Sequence, residues 1–130
     1  MTAQRNLGDL LADLEEAVDA ARELVALGHD RWARERPLRL AGEAVIGRIG
    51  DVASKLPDEL ILETPEVPWA DVRGMRIVVD HVYHAVDYDI VWETLRDDVP
   101  KLGLAVMRWL ELHPDVARAQ DRDMGPDLGL

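Results

Sequence analysis

The stretch Trp69–Pro100, WADVRGMRIVVDHVYHAVDYDIVWETLRDDVP, decides how the whole chain is read. At its centre is the β-branched run Ile77-Val78-Val79, which by propensity alone suits a strand as well as a helix. A lone strand has nothing to pair with, and no second run of this kind stands elsewhere in the chain. The flanking segments instead carry apolar residues at spacings of three and four, the mark of amphipathic helices. The run is therefore read as helix, and the chain as all-α. The same segment concentrates the candidate chemistry, with Arg76, His81 and Tyr83 in the spacing R-x4-H-x-Y.

Towards the N-terminus, Leu7, Leu10, Leu11, Leu14, Val18, Ala21, Leu24 and Val25 form one apolar stripe, predicting a helix from Gln4 to about Leu27. Acidic residues lie mostly off that stripe, and Gly28 is suited to close the helix. His29–Arg36 is expected to be a charged turn or short lead-in. Pro37 suits the first turn of a second helix, running to about Leu56 with Leu38, Ala41, Val45, Ile49, Val52 and Ala53 inward. Gly42, Gly47 and Gly50 each cost a helix about 1 kcal/mol against alanine. Three in one helix predict a close approach of another helix, within the subunit or across a dimer. Pro57–Pro68 reads as a single helical turn and a rigid connector, with Leu60, Ile61 and Leu62 calling for burial.

The third helix starts at Pro68-Trp69. Asp87 is placed to cap a fourth, with Ile90, Val91 and Leu95 inward and Trp92 beside them. Asp98 and Pro100 interrupt and restart that helix, because proline lacks the amide hydrogen a helix interior needs. Leu102, Leu104, Ala105, Met107, Trp109 and Leu110 complete the bundle to about Leu112. These elements assign residues 1–113 to one helical domain. Residues 114–130, ending DRDMGPDLGL, read as a polar, flexible tail.

The chain has 130 residues, no cysteine and a net charge of −11. One domain is the natural expectation at that length. Without cysteine there is neither a disulfide nor a thiolate metal site, which fits a reducing cytoplasm. No run approaches the ~20 apolar residues of a membrane span, so no membrane partner is expected. The negative charge repels phosphate backbones at long range and excludes general nucleic-acid affinity. RNA chemistry would need a local basic patch, and a basic protein partner is the alternative use of such a surface.

Arg and His suffice for metal-free cleavage of RNA. A histidine of near-neutral pKa takes the 2′-hydroxyl proton or gives one to the leaving oxygen. An arginine holds the phosphate and stabilises the charge of the phosphorane. On a continuous helix Arg76 and His81 are separated by roughly 140°, whereas Asp80 and Tyr83 fall within about 40° of Arg76. For Arg76 and His81 to act together the helix must end or bend near His81, or a second subunit must bring its own copy alongside. Other candidates are weaker. His81 and His84 at i, i+3 are a metal pair that Glu43 or Asp51 would have to complete, and no Glu-x-x-His pair exists; neither metal nor cofactor is expected. His29 and His113 are expected in turns, facing solvent. Trp32, Trp69, Trp92 and Trp109 are assigned to the core or an interface, and Tyr88 to packing at a helix start.

The chain resembles the HepT-like (DUF86) branch of the HEPN superfamily, small all-helical proteins that include metal-independent ribonuclease toxins. The resemblance spans about Asp9 to Leu112. It is sharpest in Pro65-Glu-Val-Pro-Trp69, Gly74-Met75-Arg76, His81-Val-Tyr83, Val86-Asp87, Ile90-Val91-Trp92 and Asp98-Val-Pro100. Ile49-Gly50-Asp51-Val52-Ala53 and Lys55-Leu56-Pro57 echo a further family stretch, with Asp51 for the usual glutamate. The resemblance implies an antiparallel up-down bundle of four to five helices that forms a homodimer, with Arg76 and His81 of both subunits lining one cleft over an RNA substrate. It also implies a cognate nucleotidyltransferase (MntA-like) antitoxin that transfers AMP to Tyr83. One departure counts against activity: Ile77 stands where asparagine usually follows the arginine. That departure and the acidity keep a second expectation open: an inactive module that only binds its nucleotidyltransferase partner.

Overall fold

A computed structural model describes residues 6–81 and 86–116, with side chains placed at all of these except 76–81. Among the described residues there are seven α-helices and no strand, so the run at Ile77-Val78-Val79 is helical. The helices are α1 (Leu7–Ala26), α2 (His29–Arg34), α3 (Arg36–Ala53), α4 (Asp58–Glu63), α5 (Trp69–His81), α6 (Tyr88–Glu93) and α7 (Val99–Leu112).

α1 begins at Leu7 rather than Gln4 because Asn6 caps it, the Asn6 side chain accepting the Asp9 amide at 2.8 Å. Leu10, Leu11, Leu14, Ala17, Val18 and Ala21 form its buried stripe. Gly28 closes the helix as expected: its amide bonds to the Val25 carbonyl at 3.0 Å and its φ of 95° favours glycine. The next residues are not the expected turn. They form α2, and the cause is Trp32, which is buried to 2% exposure. Its indole lies against Gly42 of α3, where a Cβ would stand 2.4 Å from the ring. The close approach at Gly42 thus lies inside the subunit, and it is made by an indole side chain rather than by the backbone of another helix.

α3 runs to Ala53, somewhat short of the expected end, and its buried face is led by Ile46 and Ile49 rather than Val45. An Arg48–Glu16 ion pair of 2.8 Å bridges α3 to α1 at the surface. In α4, Leu60 is fully buried while Leu62 is 77% exposed, against expectation. Residues two apart on a helix sit about 200° apart, so one helical face cannot bury both.

α5 starts beside the end of α3, where the Arg73 guanidinium donates to the Ala53 carbonyl at 3.1 Å and so satisfies one of the helix's unpaired C-terminal acceptors. It then runs back along α3, with which it makes its most extensive contacts. Asp87 caps α6 as expected, its carboxylate accepting the amides of Asp89 and Ile90 at 2.9 and 3.3 Å. Val91, Trp92 and Leu95 point inward, but Ile90 lies about 100° away from Val91 around the axis and is 60% exposed.

Pro100 does not break the helix outright. Residues Thr94–Asp98 form one π-helical turn, with the Val99 amide reaching the Thr94 carbonyl. A π turn widens the helix and absorbs the ring that would collide with a carbonyl four residues back. Pro100 itself sits in the first turn of α7. Leu104 and Met107 are exposed, not internal as expected, and flank a groove of about 360 Å³ against α1. All four tryptophans are buried, as expected. No described helix is long and apolar enough to cross a membrane. α1, α3, α5 and the α6–α7 continuum are the four long members of the bundle, with α2 and α4 as short accessories.

Candidate functional site

Arg76 and His81 both lie on α5, His81 as its last residue. Five residues of helix separate their backbones by roughly 7.5 Å along the axis. The side chains of both, and the whole of Tyr83 and His84, lie outside the described residues. What is described is the surrounding frame. Because α5 begins beside Ala53 and runs back along α3, its His81 end lies towards the N-terminal half of α3.

That half of α3 carries a polar knot. The Tyr88 hydroxyl donates to Glu43 Oε2 at 3.0 Å, and Glu43 is buried. Arg39 sits over the Tyr88 ring, 5.5 Å from its centroid, and donates to the carbonyls of Trp32 and Ala33 at 3.0 and 2.8 Å. It thereby caps the end of α2. Burial pushes the Tyr88 phenol above its ordinary pKa, aided by its hydrogen bond to Glu43 and the charge of that carboxylate. Tyr88 is thus more than a packing residue. Its hydroxyl supplies the partner that lets a carboxylate be buried in α3.

The same edge holds the densest positive charge in the sequence, with Arg31, Arg34, Arg36 and Arg39 inside nine residues. Arg31 is committed to Glu35 through a two-pronged pair of 2.7 and 2.9 Å, which holds the Glu35 carboxyl below its usual range. Arg34 and Arg36 are exposed and form no ion pair with a described residue. An acidic protein that must hold a phosphate chain needs a local basic edge of this kind. The cluster is legible in the sequence, and the fold sets it on α2 and the first turns of α3.

A second concavity lies at the other end of α5. It is a groove of about 530 Å³ between α5 and α7, bordered by Asp71, Met75, Lys101 and Arg108. His113 also departs from expectation. It is half-buried rather than solvent-facing, stacked on Trp109 with ring centroids 4.1 Å apart, and 3.0 Å from Glu63.

Residues 8–108 match the family model described as ribonuclease HepT-like, a span that contains all of α5. The chain is 26% identical over 100 residues to a probable ribonuclease HepT of Thermococcus cleftensis, covering 76% of this chain and 91% of the relative. It is 26% identical over 101 residues to a putative RNase of Methanocaldococcus jannaschii, covering 77% and 93% of the two chains. A putative RNase of Caldanaerobacter subterraneus is 36% identical over 63 residues, or 48% of this chain and 56% of the relative. No solved structure matches the chain.

Proposed function

Since this chain belongs to the ribonuclease HepT-like family, we propose that it is a metal-independent endoribonuclease, the toxin of a toxin–antitoxin pair. The family match over residues 8–108 carries this reading, and the span includes Arg76 and His81. The active unit is a homodimer in which Arg76 and His81 of both subunits line one cleft. His81 takes the proton from a ribose 2′-hydroxyl as that oxygen attacks the adjacent phosphorus. The bond from phosphorus to the 5′-oxygen breaks, and the partner subunit's His81 returns a proton to that oxygen. Arg76 holds the phosphate and offsets the charge of the phosphorane. The products are a 2′,3′-cyclic phosphate and a free 5′-hydroxyl. The exposed Arg34 and Arg36 supply positive charge on an otherwise acidic chain.

A cognate nucleotidyltransferase antitoxin transfers AMP to Tyr83. The adduct adds bulk and a negative phosphate near Arg76, which blocks RNA phosphate both sterically and electrostatically. Cleavage of RNA should survive chelator and disappear in both Arg76→Ala and His81→Ala. Activity lost in chelator and restored by added metal would overturn the mechanism. Mass spectrometry after co-expression with the nucleotidyltransferase should find adenylate on the peptide containing Tyr83, and none in Tyr83→Phe.

Ile77, where the family usually has asparagine, supports a second reading: an inactive module that only binds the nucleotidyltransferase. Expression that is equally harmless for the natural chain and for Arg76→Ala would select it.

A further inference from the structure

Glu59 and Glu63 lie four residues apart on α4 and so share one of its faces. His113, at the end of α7, faces them across the junction of the two helices. One ligand atom from each of the three residues lies within 4.8 Å of the other two. His113 Nε2 is 3.0 Å from Glu63 Oε1 and 4.0 Å from Glu59 Oε1.

The imidazole is held from two other directions. Its ring is stacked on Trp109, nearly parallel at 20°, and its Nδ1 lies 2.8 Å from the Trp109 carbonyl oxygen. A carbonyl only accepts, so Nδ1 carries the proton. In the neutral ring Nε2 then presents a bare lone pair towards carboxylate oxygens, which also only accept. Three lone-pair donors converging in this way form a seat that a cation fits. A histidine whose Nδ1–H is anchored on a backbone carbonyl while Nε2 stays free is oriented as metal-ligating histidines are. Glu63 is oriented too, since its Oε1 accepts the Trp109 indole N–H at 2.8 Å.

Charge and spacing choose the cation. A second ring proton would offset one of the two carboxylates, whereas a divalent ion offsets both. Tetrahedral zinc with bonds of about 2.0–2.2 Å sets its ligand atoms about 3.4 Å apart. The observed 3.0 and 4.0 Å from His113 bracket that spacing, and the Glu59–Glu63 separation lies within 4.8 Å. One imidazole with two carboxylates favours zinc over magnesium or calcium, which prefer all-oxygen shells.

We propose that Glu59, Glu63 and His113 form a divalent transition-metal site of the zinc class, with water completing the shell. The site ties the six-residue α4 to the end of α7. It lies at the end of the bundle where α3 finishes and α5 begins, on elements separate from Arg76 and His81. It takes no part in the metal-free cleavage proposed above and does not rest on that reading.

The test is zinc titration of tag-free, chelator-stripped protein, followed by calorimetry, melting temperature and tryptophan emission, since Trp109 stacks on the ligand. One zinc should bind per chain, raise the melting temperature with concentration, change the emission and be removed by chelator. His113→Ala should weaken binding by at least the roughly 10- to 100-fold that loss of an outer-shell partner costs, but it also removes the stack on Trp109. Glu59→Gln is the cleaner variant, because Glu59 is 66% exposed and its approach to His113 is only 4.0 Å. It should weaken zinc binding comparably while leaving the metal-free melting temperature unchanged. Binding that is undiminished in both variants would overturn the proposal, as would no binding at a large excess of zinc. Stabilisation on acidification alone, with zinc inert, would assign the cation to a ring proton and overturn it equally.

Discussion

At one end of the bundle Trp32 and Trp92 pack with ring centroids 5.4 Å apart, Tyr88 stands edge-on to Trp32 at 6.5 Å, and His29 meets the edge of Trp92 at 5.2 Å. At the other end, Trp69 donates its indole N–H to Thr64 at 2.9 Å and Trp109 donates to Glu63 at 2.8 Å. At the first end the indole of Trp32 is locked by shape, filling a slot that exists only because position 42 has no side chain, beside the Tyr88–Glu43 hydrogen bond. The second is locked by direction. Thr64, itself buried, accepts from Trp69 and donates to the Leu60 carbonyl at 2.7 Å, so one hydroxyl joins α4 to the start of α5. A shape lock is sensitive to volume and indifferent to polarity. A hydrogen-bonded lock is the reverse, because an unmatched buried donor loses its water without replacement.

This contrast breaks most severely at Trp32. Trp32→Ala should cost about 3–5 kcal/mol, as expected for emptying a tryptophan-sized site in a packed interior, and urea denaturation would measure it. Gly42→Ala comes next. In an ordinary helix the change gains about 1 kcal/mol, but here the new methyl meets a rigid indole and the net effect should be a loss of about 1–3 kcal/mol. A stabilised Gly42→Ala would show that the slot is looser than its geometry indicates. At the other end, Thr64→Val keeps volume and removes the hydroxyl. Leaving the Trp69 indole unmatched should cost about 1–3 kcal/mol, with the first end unaffected in hydrogen exchange.

Tyr88→Phe is a comparable probe, expected to cost about 1–3 kcal/mol because buried Glu43 loses its hydroxyl donor. It also carries a pH signature. The folded-state pKa of Tyr88 is raised above its unfolded value, mainly by burial. Its contribution is therefore fully present below the ordinary phenol pKa of about 10 and is lost as pH rises through the folded value. Stability of the natural chain should fall at alkaline pH through this group, and Tyr88→Phe should lack that part of the fall. The smallest effect is expected for Glu35→Gln. Its pair with Arg31 is geometrically good but lies in solvent, so no resolvable change in melting temperature is expected.

Local signals that depend on a few neighbouring residues were legible in advance. The Asp87 cap, the Gly28 closure and the proline in the first turn of α7 are decided within four or five residues of chain, and all appear in the structure. The helical reading of Ile77-Val78-Val79 was legible for a different reason: a strand needs a partner, and the sequence offers none. Burial was read less well. Leu62, Ile90, Leu104 and Met107 are apolar yet exposed, because the side of a helix that is covered depends on where its neighbours lie. α2 was missed because six residues, of which Trp32 is the one large apolar member, have no period; its helical state follows from the slot at Gly42.

The candidate site divides along the same line. Arg76, His81 and Tyr83 stand out by residue type and spacing, and the family match over residues 8–108 covers them. That Glu43 and Tyr88 are partners, 45 positions apart, could not be read from either residue's surroundings in the chain. The same holds for His113 and Glu63, which meet only because α7 ends against α4. By itself, the sequence determined the all-helical class, the caps and breaks, and which side chains are chemically capable, since these follow from backbone propensity and intrinsic reactivity. Tertiary structure alone decided that α5 runs back along α3, that Trp32 fills the gap at Gly42 and that His113 faces two carboxylates. Those pairings join residues far apart in the chain, and their geometry is set by how whole helices pack.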